Sequence, residues 1–150
     1  MTRFFAVLLF GLGLAGGVGP AWAQDASKST ELVPGVSASV VSLKRVPGQQ
    51  MLQLDYEVKN TGTDAVAVDA LGIGSSAYGL RDIALMDFKA EKAFTVGIAN
   101  ECLCSALPEE ALGPGASMRF WAWFAPPATS PGPFAVRFGK SLPVLDVPVE

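Results

Sequence analysis

The chain has 150 residues, a formal net charge of −3 and no histidine. Its charged residues are scattered, so it has neither a basic stripe for nucleic acid nor a polybasic patch for a membrane surface. The missing histidine excludes a Ser-His-Asp triad, a Cys-His pair and a histidine-ligated zinc site. Since no other nucleophile–base spacing stands out, we expect a protein that is not an enzyme and needs no cofactor.

The first 23 residues have the three parts of an export signal. Arg3 supplies a positive start, residues 4–19 form an apolar run, and Ala21 and Ala23 occupy the −3 and −1 positions of a cleavage site. The run is shorter than the roughly 20 residues that span a bilayer. We predict cleavage after Ala23 and a periplasmic or secreted mature chain with no membrane anchor. The remaining residues, about 127, are enough for one domain with a sizeable core.

Short apolar alternations punctuated by turn residues follow. Residues 24–35 are polar and small, which predicts a flexible lead-in to a domain over 36–150. Predicted strands cover residues 36–43, 51–59, 65–71, 80–86, 93–99, 117–124, 134–138 and 142–149, and residues 108–110 fit one helical turn. The clearest strand is 51–59, where Leu52, Leu54, Tyr56 and Val58 share one face and polar residues the other.

Seven or eight short strands with frequent turn signals predict an all-β, immunoglobulin-like antiparallel sandwich, with a closed barrel as the alternative. The last strand contains Pro143 and Pro148. Because proline cannot donate to a ladder, we expect this strand at a sheet edge.

Three short motifs resemble those of known modules. Val58-Lys59-Asn60-Thr61-Gly62 and Leu112-Gly113-Pro114-Gly115-Ala116-Ser117 resemble the "V-x-N-T-G … L-x-P-G-x-S" pattern of bacterial extracytoplasmic immunoglobulin-like modules. Cys102-Leu103-Cys104-Ser105 resembles the Cys-x-Cys-Ser loop of similar secreted modules. The resemblance implies that the first motif turns the chain between strands and that the second begins a late strand. It implies a fold and an extracytoplasmic location, not an activity.

The only two cysteines are Cys102 and Cys104. In an extended chain their Cα atoms would lie near or beyond the upper limit for a disulfide, so a bridge between them needs a bent loop. We expect that local bridge to act as a structural clip. The alternatives are a thiol-redox site, a bond to another chain, or a Cu(I) site formed by both thiolates and a methionine such as Met118, Met51 or Met86.

The segment 117–124 is the second notable feature. On a strand, Arg119, Trp121 and Trp123 point one way, and the apolar residues between them point the other way. Arginine and tryptophan are enriched in the hot spots of interfaces, so these three residues are candidates for partner binding. The alternative is that the loop 125–133 or the C-terminal strand covers them.

Together these features predict an exported, non-enzymatic module of the cell envelope, structural or binding a protein or cell-wall partner, and not nucleic acid. The alternative is a small exported thiol-redox or Cu(I)-binding protein that uses Cys102 and Cys104. The sequence gives no indication of the oligomeric state.

Overall fold

The computed structural model describes residues 28–75 and 79–150. The predicted signal peptide and its cleavage site at Ala23 lie outside these residues. Within them, no helix is long and apolar enough to cross a membrane.

In residues 28–75 and 79–150, eight strands form two antiparallel sheets of four strands each, which confirms the predicted all-β sandwich. The first sheet has the order β1-β2-β3-β6, and the second has the order β5-β4-β7-β8. Without β1, these orders correspond to the A-B-E and C′-C-F-G sheets of an immunoglobulin-like sandwich. The strands are β1 (Ser29–Val33), β2 (Val36–Arg45), β3 (Leu52–Asn60), β4 (Ile83–Asp87), β5 (Lys92–Thr95), β6 (Ser117–Phe124), β7 (Phe134–Phe138) and β8 (Val144–Val147).

The core lies between the two sheets and follows the predicted period of two. Leu52, Leu54, Tyr56 and Val58 on β3 are at most 1% exposed, as the alternation predicts. The ring of Tyr56 lies at its centre, 5.5 Å from the ring of Phe120 on β6 and 5.0 Å from that of Phe138 on β7, measured between centroids. Aromatic contacts therefore join the two sheets, and the intervening residues of β3 remain on the outer surface.

Three local predictions are wrong. The lead-in is not flexible throughout, because residues 29–33 form β1, which pairs with β2. Residues 65–71 do not form a strand: Val66 makes an isolated bridge to Leu112, and Val68–Leu71 is a 3-10 turn that ends at Gly72 in the left-handed region. Residues 108–110 contain no helical turn. Residues 29–33 form a strand because β2 lies beside them. Residues 65–71 and 108–110 are not in a ladder between strands, so their local pattern alone did not decide their structure.

The two turn motifs contact each other through the buried side chain of Asn60. Its amide donates to the carbonyl oxygens of Asp64 (2.8 Å) and Leu112 (2.9 Å), and its Oδ1 accepts from the Gly62 amide (2.9 Å). The main chain of Asn60 also bonds to Gly115 and Ala116. The motif around Asn60 therefore fixes where the later motif begins β6.

The β8 strand lies at the edge of the second sheet, as Pro143 and Pro148 predict, and the two prolines directly flank it. Beyond it, the Glu150 amide donates to the Leu43 carbonyl (2.9 Å), so the end of the chain pairs with β2 of the other sheet. This contact covers part of one lateral opening of the sandwich.

Candidate partner-binding face

The outer surface of β2, β3 and β6 carries a patch that we call the tryptophan face. The strand register places its residues in three rows: Lys44, Gln53 and Trp123; Ser42, Asp55 and Trp121; and Ser39, Glu57 and Arg119. Two of these side chains are acidic and two are basic, so their formal charges cancel. Residues far apart in sequence meet here because β6 pairs with β3 rather than with β5 or β7.

The two tryptophans form the aromatic part of the face. Their ring centroids are 5.8 Å apart and their planes are inclined by 52°. Trp121 is 37% exposed, whereas Trp123 is partly buried. A large ring with this exposure, on a strand whose other side enters the core, is available for contact with another molecule.

A chain of hydrogen bonds fixes the polar side chains beside the rings. The Trp123 indole donates to Gln53 (2.9 Å), the Gln53 amide donates to Asp55 (2.8 Å), and the Ser42 hydroxyl donates to the other oxygen of Asp55 (3.0 Å). A carboxylate has about four lone-pair positions. Asp55 is therefore held in one orientation while it keeps the capacity to accept further hydrogen bonds.

A shallow groove of about 290 Å³ lies next to Trp121. Ser42 and Asp55 line its polar part, and Val41 and Arg119 also contribute to its lining. The pairing of β2 with β3 shifts between Val40 and Ser42, which leaves Val41 as an extra residue that is 46% exposed. A bulge bends its strand locally, and here it brings Val41 to the border of the groove.

The basic groups of the face already have acidic neighbours. The Nε of Arg119 lies 3.5 Å from Glu57 Oε2, and the Nζ of Lys44 lies 3.4 Å from Glu150 Oε2. Exposed pairs of this kind contribute little to stability, typically less than about 1 kcal/mol. They do lower the net attraction of the face for a charged ligand.

Neither of the elements expected to cover the tryptophans takes that position. Ser130, in the loop 125–133, hydrogen-bonds to Asp87 at the end of β4 in the other sheet. The C-terminal strand β8 also belongs to the other sheet. The backbone edge of β6, and not its tryptophan face, is what the chain covers.

That edge is covered by the cysteine loop. The Ser105 amide donates to the Trp121 carbonyl (2.9 Å), and the Trp123 amide donates to the Leu103 carbonyl (2.8 Å). Residues 103–105 thus take the place of a further strand beside β6. Edge strands with free backbone groups pair readily with other chains, and this segment removes that hazard.

Cys102 and Cys104 form a disulfide with each other, with Cα atoms 5.3 Å apart. A bend in the loop provides this distance, as the sequence argument requires. The sulfur atoms pack against Gly79, where an added Cβ would lie 3.0 Å from Cys104 Sγ. The Leu80 amide also lies 3.4 Å from that sulfur. We call residues 103–105, which lie along β6, the strap. The disulfide within this loop packs against the segment that precedes β4.

Of the three methionines considered for a Cu(I) site, Met118 and Met86 lie away from this bridge, whereas the Met51 side chain lies beside Gly97, whose carbonyl accepts from the Leu103 amide. Cys104 lies opposite Ala122, and Met118 is four residues further along β6, which is about 13 Å at the rise of a strand. Met86 belongs to β4 in the other sheet. Among the described residues there is also no group of three or more histidine, cysteine, aspartate or glutamate residues arranged to hold a metal.

A larger cleft, of about 720 Å³, lies between β2 and β8 and not at the tryptophan face. Its lining consists of strand edges and aliphatic core residues such as Leu43 and Val144, with the exposed Leu142 at its border, and it contains no aromatic ring. It is the lateral opening of the sandwich. We assign the candidate site to the smaller groove because only that groove combines an exposed ring with oriented polar groups.

Sequence reasoning identified Arg119, Trp121 and Trp123 but missed Ser42 and Asp55. The alternation of β3 does place Asp55 on the solvent side. The bulge at Val41, which brings Ser42 opposite Asp55, has no signal in the sequence.

Comparisons with known proteins gave no match. No protein-family profile matches the chain, and no curated protein or solved structure is significantly similar to it.

Proposed function

We propose that this chain is an exported, non-enzymatic module of the cell envelope that binds a partner through its tryptophan face. The observation that carries the proposal is the exposed Trp121 beside the fixed Asp55 network. Rigid aromatic side chains next to oriented polar groups form the centres of binding sites. The export signal in the sequence supports the location.

The disulfide supports this function indirectly. It holds the strap that pairs with Trp121 and Trp123 through their main chains, so it fixes the strand that presents the rings. In this proposal the cysteines stabilise the binding surface and carry out no chemistry.

Co-sedimentation with an insoluble envelope fraction of the source organism tests the proposal. We expect the wild-type protein to sediment with the fraction and Trp121→Ala to lose at least tenfold in affinity. Phe88→Ala is the matched control, because Phe88 is a 63% exposed aromatic residue at the end of the other sheet. Thermal melts of both variants check that they fold. Equal sedimentation of the wild type and the folded Trp121→Ala variant would contradict the proposal.

A further inference from the structure

We infer that the groove beside Trp121 binds a neutral, polyhydroxylated ligand, namely a sugar unit of a glycan chain. This inference rests on the proposed function and specifies the chemistry of the partner. Three features of the tryptophan face lead to it: its balanced charge, its hydrogen-bonding character and its shape.

The charge of the face excludes a strongly charged ligand. Lys44 and Arg119 oppose Asp55 and Glu57, and the adjacent row adds one further pair of opposite charges, Glu31 and Lys59. Binding of a polyanion or polycation requires a surplus of the opposite charge to offset the loss of hydration. The rows themselves carry no such surplus, and Glu150, which pairs with Lys44, adds only one negative charge, so a ligand without net charge fits best.

The polar groups of the groove favour a ligand that donates hydrogen bonds. Asp55 is an acceptor held by two donors of the protein itself, Ser42 and Gln53, and its remaining lone pairs require donors from the ligand. Hydroxyl groups supply such donors without introducing charge. The guanidinium of Arg119 can donate in return to ring or hydroxyl oxygens of the same ligand.

The shape fits one ring-sized unit. The groove volume of about 290 Å³ lies at the lower end of the range for small-molecule sites, roughly 300–1,000 Å³. Trp121 offers a flat apolar surface next to the polar groups. A sugar ring has the matching character, since the C–H groups of one side can pack on the indole while its hydroxyls face Asp55.

The direct test is an NMR titration of the indole N–H signals with two uncharged probes, the β-1,4-linked tetramers of N-acetylglucosamine and of glucose. We expect at least one tetramer to shift the Trp121 signal saturably. Asp55→Asn, which replaces one acceptor by a donor, should bind that tetramer at least tenfold more weakly. Phe88→Ala should bind it like the wild type. Raising the salt concentration from 50 to 500 mM should change the affinity by less than twofold, since the ligand has no charge to screen.

Two results would overturn the inference. One is the absence of any saturable shift with both tetramers. The other is a stronger, salt-sensitive response to hexalysine or hexaglutamate, which would mean that the face selects charge.

Treatment of the envelope fraction separates this inference from the proposed function. If a glycan is the partner, digestion of the fraction with protease leaves Trp121-dependent sedimentation intact, and digestion with glycosidases abolishes it. The reverse pattern would refute the glycan while leaving the proposed partner binding in place. Loss of all Trp121 dependence in the untreated fraction would refute both.

Discussion

Replacement of Asn60 by alanine should strongly destabilise the domain. Asn60 is 1% exposed and its side chain makes three hydrogen bonds of 2.8 to 2.9 Å. Two lie within the turn after β3, and the third, to the Leu112 carbonyl, joins that turn to the one before β6. A typical hydrogen bond contributes about 1 kcal/mol net, and a buried group left without a partner costs more. Leu112 keeps a second donor, the Val66 amide. We therefore expect a loss of about 3 kcal/mol in the free energy of unfolding.

Equilibrium unfolding in urea, with the disulfide intact, measures this loss. With a slope of about 2 kcal/mol/M, the midpoint should fall by about 1.5 M at constant slope. Asn60→Asp should be at least as unstable, because it points a carboxylate oxygen at two carbonyls. Thr61→Ala is the neighbouring control: it removes one exposed bond to Gly35 and should cost less than about 1 kcal/mol. Differences of roughly 0.5 kcal/mol lie within the error with which such effects add. If Asn60→Ala lowered the free energy of unfolding by less than this, the account of the two motifs would be refuted.

Three further predictions concern other parts of the sandwich. The Tyr56 hydroxyl is buried with no hydrogen-bond partner among the described residues, so Tyr56→Phe should stabilise the domain by about 1 kcal/mol; a destabilised variant in urea would contradict this. The backbone amide of Ala90, the Ser130 hydroxyl and the backbone amide of Lys89 lower the pKa of Asp87 against the opposing effect of burial. The stability difference between wild type and Asp87→Asn should therefore be largest above about pH 4, the unfolded pKa, and shrink as the pH falls through the lower folded pKa; a gap independent of pH in acid titrations would contradict this. Replacing both Cys102 and Cys104 by serine should lower the free energy of unfolding by about 1.5 kcal/mol, the loop-closure entropy of so small a ring. It should also speed hydrogen exchange of the Trp123 backbone amide, and unchanged exchange would show that the disulfide does not hold the strap.

The sequence predicted the bounds of three strands, β3, β6 and β7, to within one residue at each end. The bounds of β6 and β7 match the predicted 117–124 and 134–138, and β3 differs by one residue at each end. In β3 and β6 the side-chain alternation and the burial follow the same period of two, whereas β7 is buried everywhere except at Arg137. The predicted strand over residues 65–71 was wrong because the alternating small apolar residues there form only an isolated bridge and a 3-10 turn.

The candidate site was predictable only in part, for a reason of topology. The outward direction of Trp121 and Trp123 follows from the strand pattern of β6 alone. Asp55 could not be placed beside Trp121, because β4 and β5, two strands of the second sheet, lie between β3 and β6 in the sequence. The strap formed by residues 103–105 was equally invisible, since two of its bonds to β6 join backbone groups and the third, from the Trp121 amide to the Ser105 hydroxyl (2.8 Å), also has a backbone donor.

Hydroxyl-radical footprinting of the protein, alone and mixed with the envelope fraction, tests the proposed role of the tryptophan face most directly. The method measures the oxidation of each side chain, and the 37% exposed Trp121 gives a strong signal in the free protein. The account predicts a several-fold drop in oxidation of Trp121 on binding, with Phe88 unchanged. Equal oxidation of Trp121 in the free and bound protein would contradict it.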